Sequence, residues 1–277
     1  MQCSACHEDL PPAWANLGAH PHCVSFDDPW DTDPLAARIK SEMINIIQWS
    51  ERESPRSQQV EIGPSELGDL CDRRIGYRIA GIPHINTETD PWAAFVGSAI
   101  HSRLADGINR WVQATGDQAW YPEKPVDISS LVPGTTDVYR EDIACVIDHK
   151  GASLDGIKKI QRSEPPHRHQ VQVQCYGLGC EQLGLPVRKV ALAYYPRNGW
   201  LREIYVWTAD YDRSVAERAL ARLHEIATQV VALDVLNMSH RWEDVTAVPS
   251  NDCGFCPWYD PDRDLERGAS DKGCPGR

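Results

Sequence analysis

The chain has 277 residues and carries 28 Lys and Arg against 40 Asp and Glu, a net charge of −12. That length suits one domain of roughly 200–250 residues with small appendages; the charge excludes a histone-like coat on nucleic acid, but not an enzyme that works on it through a local basic groove. No run of about 18 apolar residues is present, which excludes a membrane-spanning helix, and the opening MQCSACHEDL lacks the basic start and apolar stretch of an export signal, so a cytoplasmic protein is expected.

Ten cysteines in such a chain point to metal rather than to disulfides. Cys3 and Cys6 come first, then His20, His22 and Cys23, within residues 1–26, a stretch too short to bury a core of its own. Two short-spaced pairs across a loop make a tetrahedral Zn²⁺ site, with Cys3, Cys6, His20 and Cys23 as its expected ligands; His22, beside Cys23, is sterically poorer. Four protein ligands leave no open position, so this is a structural zinc knuckle. Residues 27–60 follow as an acidic, Pro-containing linker and a helix. Asp33 is its N-cap, Pro34 its first residue, and Leu35, Ile39, Met43, Ile46 and Ile47 have helical spacing.

From residue 61 to the end a single domain is expected. Pro64-Ser65-Glu66 opens a short helix carrying Leu67, Leu70 and Cys71 and stopping near Gly81. Asp90-Pro91 opens a longer one that carries His101 and ends at Gly116. Residues 117–133 read as loop or edge strand. A hairpin pattern follows: GTTDVY, a polar turn at Arg140-Glu141-Asp142, then IACVIDHK. Residues 150–168 read as a basic loop of net charge +3 (Lys150, Lys158, Lys159, Arg162 and Arg168 against Asp155 and Glu164), and Lys158, Lys159 and Arg162 are candidates to hold DNA phosphates. A helix over 169–184 comes next. Two strands, RKVALAYYP and LREIYVWT, flank the turn Arg197-Asn198-Gly199, a helix runs from about Asp210 to Leu236, and the tail from Pro249 is loop-like.

The hairpin carries the chemistry. Asp148 and Lys150, two apart on a strand, point to one face, and His149 points to the other. Asp137, on the strand before the turn, can meet Asp148 across the hairpin. Two carboxylates that close repel unless a divalent cation lies between them. A lysine beside that cation can orient or deprotonate a water and offset charge on a phosphorane-like transition state. The expectation is a Mg²⁺ or Mn²⁺ site suited to phosphodiester hydrolysis. Asp-x-Lys is a common tripeptide and alone reads as surface charge; its setting adds weight. His101 places an imidazole on a helix, and His169, Gln172 and Tyr176 share one helix face.

Taken in order — Gly97-x-x-x-His101, Gly134-Thr-Thr-Asp137, Asp148-x-Lys150, Gln172-x-x-x-Tyr176 — these motifs resemble those of the PD-(D/E)XK nucleases. Within that superfamily they are most similar to RecB-like exonucleases, in the group that includes the iron–sulfur nucleases associated with CRISPR arrays and their phage relatives. The resemblance covers roughly residues 60–277. It implies an α/β fold: a restriction-endonuclease-like core of mixed sheet flanked by helices, to which the zinc knuckle is appended. It implies that His101, Asp137 and Asp148, with the carbonyl of His149, ligate the catalytic metal. Lys150 would act on the nucleophilic water, and Gln172 and Tyr176 would help hold the lysine and the DNA backbone. It implies a [4Fe–4S] cluster on Cys71, Cys253, Cys256 and Cys274, although thiolates suit zinc as well.

The expected activity is hydrolysis of DNA from its ends, single-stranded tails preferred. The expected setting is phage or bacterial DNA processing or recombination, in the cytoplasm of a bacterium or phage-infected host, with a recombination or CRISPR-type protein partner and no membrane. Trp92, Trp111 and Trp120 are candidates to stack on bases, with core packing the simpler role for each. Two other readings stand: a DNA-end-binding subunit that needs a partner to cut, and a cysteine-rich metal-binding interaction protein in which Asp-x-Lys is incidental.

Overall fold

The computed structural model describes residues 2, 9, 33–54, 62–86, 90–261 and 273–276; the expected zinc ligands Cys3, Cys6, His20 and Cys23 lie outside the described residues. In chain order the helices and strands are α1 (Pro34–Arg52), α2 (Asp72–Ile79), α3 (Trp92–Thr115), β1 (Trp120–Ser129), β2 (Val132–Arg140), β3 (Cys145–Ala152), α4 (Leu154–Arg162), α5 (His167–Gln182), β4 (Lys189–Pro196), β5 (Tyr205–Asp210) and α6 (Arg213–Ala232). The chain divides into two compact units, Met1–Gln59 with Asp90–Val96, and Val60–Thr89 with Gly97–Arg277.

In the first unit, α1 begins as its sequence dictates. The Asp33 carboxylate accepts the Leu35 N–H at 2.9 Å and Pro34 opens the helix. The apolar stripe is not its buried side, however. Leu35, Ile39, Met43, Ile46 and Trp49 are exposed, while Ser41 and Asn45, on the opposite side, are buried. The first residues of α3 also belong to this unit, and there Trp92 and Phe95 stack with centroids 5.7 Å apart.

The second unit is a mixed α/β fold built on a five-stranded sheet in the order β1-β2-β3-β4-β5. Every neighbouring pair is antiparallel except β3–β4, which is parallel. A parallel pair needs a crossover, and α4 and α5 supply it. β3 and β4 are inner strands, apolar over Cys145–Ile147 and Val190–Ala193, with Val146, Val190 and Leu192 fully buried. β5 alternates half-buried and exposed residues, as an edge strand does. β1 is a full strand despite Pro122 and Pro125, because one side of it has no neighbour to bond.

Two sequence expectations are corrected here. Residues 154–162 form a helix, not a loop: the Ser153 hydroxyl accepts the Gly156 N–H, Ile157 is buried and Ile160 packs on the core, so the lysines are the outer face of an amphipathic turn. Leu201–Glu203 is a 3-10 turn, and the following strand begins only at Tyr205.

α5 is seated hard on its surroundings. A Cβ at Gly179 would lie 2.8 Å from Val126 of β1, and one at Gly177 would lie 2.6 Å from the Tyr211 ring. Gly68 meets the backbone of α5 at Arg168, where a Cβ would stand 2.5 Å from Cα. The C-terminal segment closes on α2. The rings of Trp242 and Trp258 lie 4.2 and 5.7 Å from that of Tyr77, whose hydroxyl donates to the Gly273 carbonyl at 2.7 Å. No helix among the described residues is long and apolar enough to cross a membrane.

Candidate active site

The β2–β3 ladder ends at the pair Val138–Ile147. The next residues toward the open end are Asp137 and Asp148, so the strands part where the two carboxylates stand. The Asp137 carboxylate bridges the parting: Oδ2 accepts the His149 backbone N–H at 2.6 Å, and Oδ1 accepts from His101 Nδ1 at 3.0 Å. His101 thereby comes from α3 to the hairpin, as its place on that helix suggests. Burial presses the Asp137 pKa upward, but the hydrogen bond and charge of His101, with the His149 N–H, carry it below the ordinary carboxylate range. The same hydrogen bond raises the pKa of His101.

Asp148 is 1% exposed. Burial first, then repulsion from Asp137, push its pKa up to about 6 against the opposing charge of Lys150. Lys150 Nζ lies 2.6 Å from Asp148 Oδ2, a charge contact without hydrogen-bond geometry, so that buried oxygen has no hydrogen-bond donor. The ammonium donates to Gln172 Oε1 at 2.9 Å, and Gln172 Nε2 donates to the Tyr176 hydroxyl at 3.3 Å. Gln172 and Tyr176, four apart on α5, therefore hold the lysine over the sheet. The spacing of His169 on that helix does not bring it into this chain; its Nδ1 pairs with the Tyr194 hydroxyl at 3.0 Å.

His149 turns its ring to the other face of β3, as strand alternation requires. There Nδ1 and the Tyr195 hydroxyl share a hydrogen bond of 3.2 Å, the His101 ring stands 6.0 Å away, and Nε2 has no hydrogen-bond partner. Burial lowers its pKa to about 4, so the ring is neutral at pH 7. Tyr195 and Tyr194 were not singled out in the sequence; on a strand of apolar residues they read as core.

A second constellation lies between α2, α5 and the tail. Cys71, Cys253, Cys256 and Cys274 line one cavity of about 480 Å³. Arg74, Lys159 and Arg168 also line it, which places Lys159 on this wall, while Lys158 and Arg162 project from α4 into solvent. Burial raises the pKa of Cys71 and of Cys256. The buried Arg73 donates to Cys274 Sγ at 3.5 Å and to the Val245 carbonyl at 3.0 Å. No local pattern marks Arg73, whose partners lie in the tail.

Among the described residues no three His, Cys, Asp or Glu side chains are gathered so as to hold a single metal ion. A hard cation commonly takes one or two protein carboxylates and completes its shell with water and substrate phosphate. Asp137 and the buried, undonated Oδ2 of Asp148 suit such an ion. Cys71, Cys253, Cys256 and Cys274 share one cavity wall, and thiolates suit zinc and iron–sulfur centres alike.

The aromatic candidates fare differently. Trp120 is occupied: Arg140 lies 4.3 Å from its ring centroid, and its Nε1–H donates to Asp117. Trp92 and Trp111 are exposed.

No family model matches the chain, and no curated protein matches it in sequence. Several solved structures resemble it. The alkaline exonuclease LHK-Exo from Laribacter hongkongensis aligns with a TM-score of 0.46 at 12% identity, over 69% of this chain and 97% of that one. A structure described as SSO0001 gives 0.41 at 15%, over 79% and 94%. A phage-related exonuclease from Haemophilus somnus 129PT gives 0.39 at 12%, over 58% and 81%.

Proposed function

We propose that the protein is a metal-dependent deoxyribonuclease that hydrolyses phosphodiester bonds from DNA ends, with the reaction at the parting of β2 and β3. The observation that carries this reading is the convergence of separate segments on one point: His101 from α3, Asp137 from β2, Asp148 and Lys150 from β3, and Gln172 and Tyr176 from α5. An incidental Asp-x-Lys has no need of a buried Gln172–Tyr176 pair behind its lysine, nor of an acid buried beside it.

Asp137 and Asp148, with His101 and the His149 carbonyl, would hold Mg²⁺ or Mn²⁺, which when bound supplies Lewis acidity to the scissile phosphate and its attacking water. His101 fixes the Asp137 carboxylate in one rotamer, and the His149 N–H fixes its other oxygen. Lys150, tethered by Gln172, is positioned to orient the water and, as an ammonium, to offset charge gathering on the phosphate oxygens. Tyr176 keeps the Gln172 amide turned so that its oxygen, not its nitrogen, faces the ammonium. The cysteine cavity would hold a [4Fe–4S] cluster joining the tail to α2. The half-buried thiols of Cys71 and Cys256, with raised pKa values, would become thiolates under the cationic charge such a cluster would supply. Single-stranded tails, a recombination or CRISPR-type protein partner and a cytoplasmic setting complete the reading, with Zn²⁺ on Cys3, Cys6, His20 and Cys23.

The test is degradation, with Mn²⁺, of linear duplex, single strands and closed circles at fixed salt. Linear and single-stranded DNA should be consumed and closed circles spared. Asp137→Ala, Asp148→Ala and Lys150→Ala should each lower the rate by at least about 10²-fold. The acid variants should weaken Mn²⁺ binding, and the lysine variant should leave it largely intact. Cleavage of closed circles at an equal rate would replace end processing with endonuclease action, and no cleavage of any DNA would sink the nuclease reading.

A further inference from the structure

β3 and β4 run parallel, with Ala152 opposite Pro196. The turn that follows β4 therefore leaves the sheet at the end where Lys150, Gly151 and Ala152 finish β3. This turn is fixed to the catalytic strand. The Arg197 N–H donates to the Ala152 carbonyl at 2.8 Å, and Asn198 Oδ1 accepts the Leu154 N–H at 2.9 Å. Its tip is fixed as well: the Glu203 carboxylate accepts the Trp200 N–H at 2.7 Å, and the Glu203 N–H returns to the Trp200 carbonyl at 2.9 Å. The Arg197 stem passes Gly151 within 3.8 Å of where a Cβ would stand, beside Ile100, the neighbour of His101 on α3.

On this rigid tip Trp200 is 68% and Leu201 82% exposed. A lone exposed apolar residue is ordinary. Here two adjacent ones are held out by a braced turn and flanked by Arg197 and Arg202, neither of which pairs with a carboxylate among the described residues. The Arg202 guanidinium lies 5.6 Å from the Trp200 ring centroid. A flat π-surface with one guanidinium against its ring and a second at the start of the same turn, at the end of the sheet where the catalytic strand finishes, is complementary to a nucleobase between its phosphates.

We infer that the β4–β5 turn is a stacking platform on which Trp200 takes one base of a single-stranded DNA tail while Arg197 and Arg202 hold the adjoining phosphates. This rests on the nuclease reading and names how the strand is gripped. Stacking on an aromatic needs a base but no particular base, so the platform favours single strands over duplex and discriminates little by sequence.

The experiment measures affinity, with EDTA present, for a short oligothymidylate and for an abasic oligonucleotide of equal length and charge. The wild-type protein should prefer the natural strand roughly tenfold. Trp200→Ala should lose that preference while keeping the abasic affinity, and Trp200→Phe should restore most of it. If the alanine variant keeps the preference, or loses affinity for both strands alike, the platform is overturned while Mn²⁺-dependent cleavage by the wild type still supports the nuclease. If the wild-type protein neither binds these strands nor cuts DNA, both proposals fall.

Discussion

Asp137 and Asp148 sit across one parting of strands and titrate in opposite directions. The pKa of Asp148 is raised, so the folded state binds its proton more readily than the unfolded chain does. In metal-free protein that group lowers stability as pH rises through the interval from the ordinary carboxylate pKa to about 6, and the loss is complete above it. Asp137, whose pKa is lowered, contributes stability that is present above the ordinary carboxylate pKa and lost as pH falls below it. Thermal melts in EDTA at pH 7.5 should therefore show Asp148→Asn more stable than the wild type and Asp137→Asn less stable. Both differences should shrink toward pH 3. Added Mn²⁺ should reverse the order for Asp148, because a ligand that binds only the native state raises its stability by mass action. Two variants moving the same way in EDTA would contradict the assignment. Arg73 makes a separate case: Arg73→Leu leaves the Val245 carbonyl and Cys274 without their buried donor, and urea unfolding should register a loss of about 1–3 kcal/mol.

At the level of elements, α5 is the part that sets the geometry, because it carries Gln172 and Tyr176 and has little room to move. Gly179→Ala would push the helix off Val126, and a cost of about 1–3 kcal/mol is expected, along with slower DNA cleavage. Gly107→Ala in α3 faces open space and should gain about 0.5–1 kcal/mol from helix propensity alone. Denaturant midpoints for the two variants moving in one direction would contradict this account of α5. Much of this layer was legible in the sequence. Asp33-Pro34 marked the start of α1, and the alternation around Asp137 and Asp148 marked the hairpin. What stayed hidden has physical causes. Three basic residues around Ile157 and Ile160 masked the amphipathic turn of α4, and two prolines left β1 readable as either loop or edge strand. The apolar stripe of α1 announced a helix but named the wrong face, since spacing reports periodicity and not what covers it.

Over the whole second unit, the organising contact is between α2 and the tail, and no local pattern could reveal it. The indole N–H of Trp258 donates to the Ile82 carbonyl across 176 residues, and its ring packs on Tyr77 and on His84. Trp258→Ala should cost about 3–5 kcal/mol in urea unfolding. The same variant, purified without oxygen, should lose most of the roughly four irons expected per chain, because the wall bearing three of the four thiols is then adrift. Retention of full iron in a destabilised variant would show the cavity to be independent of the Trp258 anchor. The arrangement also sets an order of events during synthesis. Cys71 leaves the ribosome early, whereas Cys253, Cys256 and Cys274 come more than 180 residues later, a delay of roughly ten to forty seconds at elongation rates of about 5–20 residues per second. For that interval α2 has neither its tryptophans nor its companion thiols, and the cavity does not exist. Anything those four thiols hold together must therefore arrive after the residues of all five strands have been synthesised, as a closing act of biogenesis rather than its nucleus.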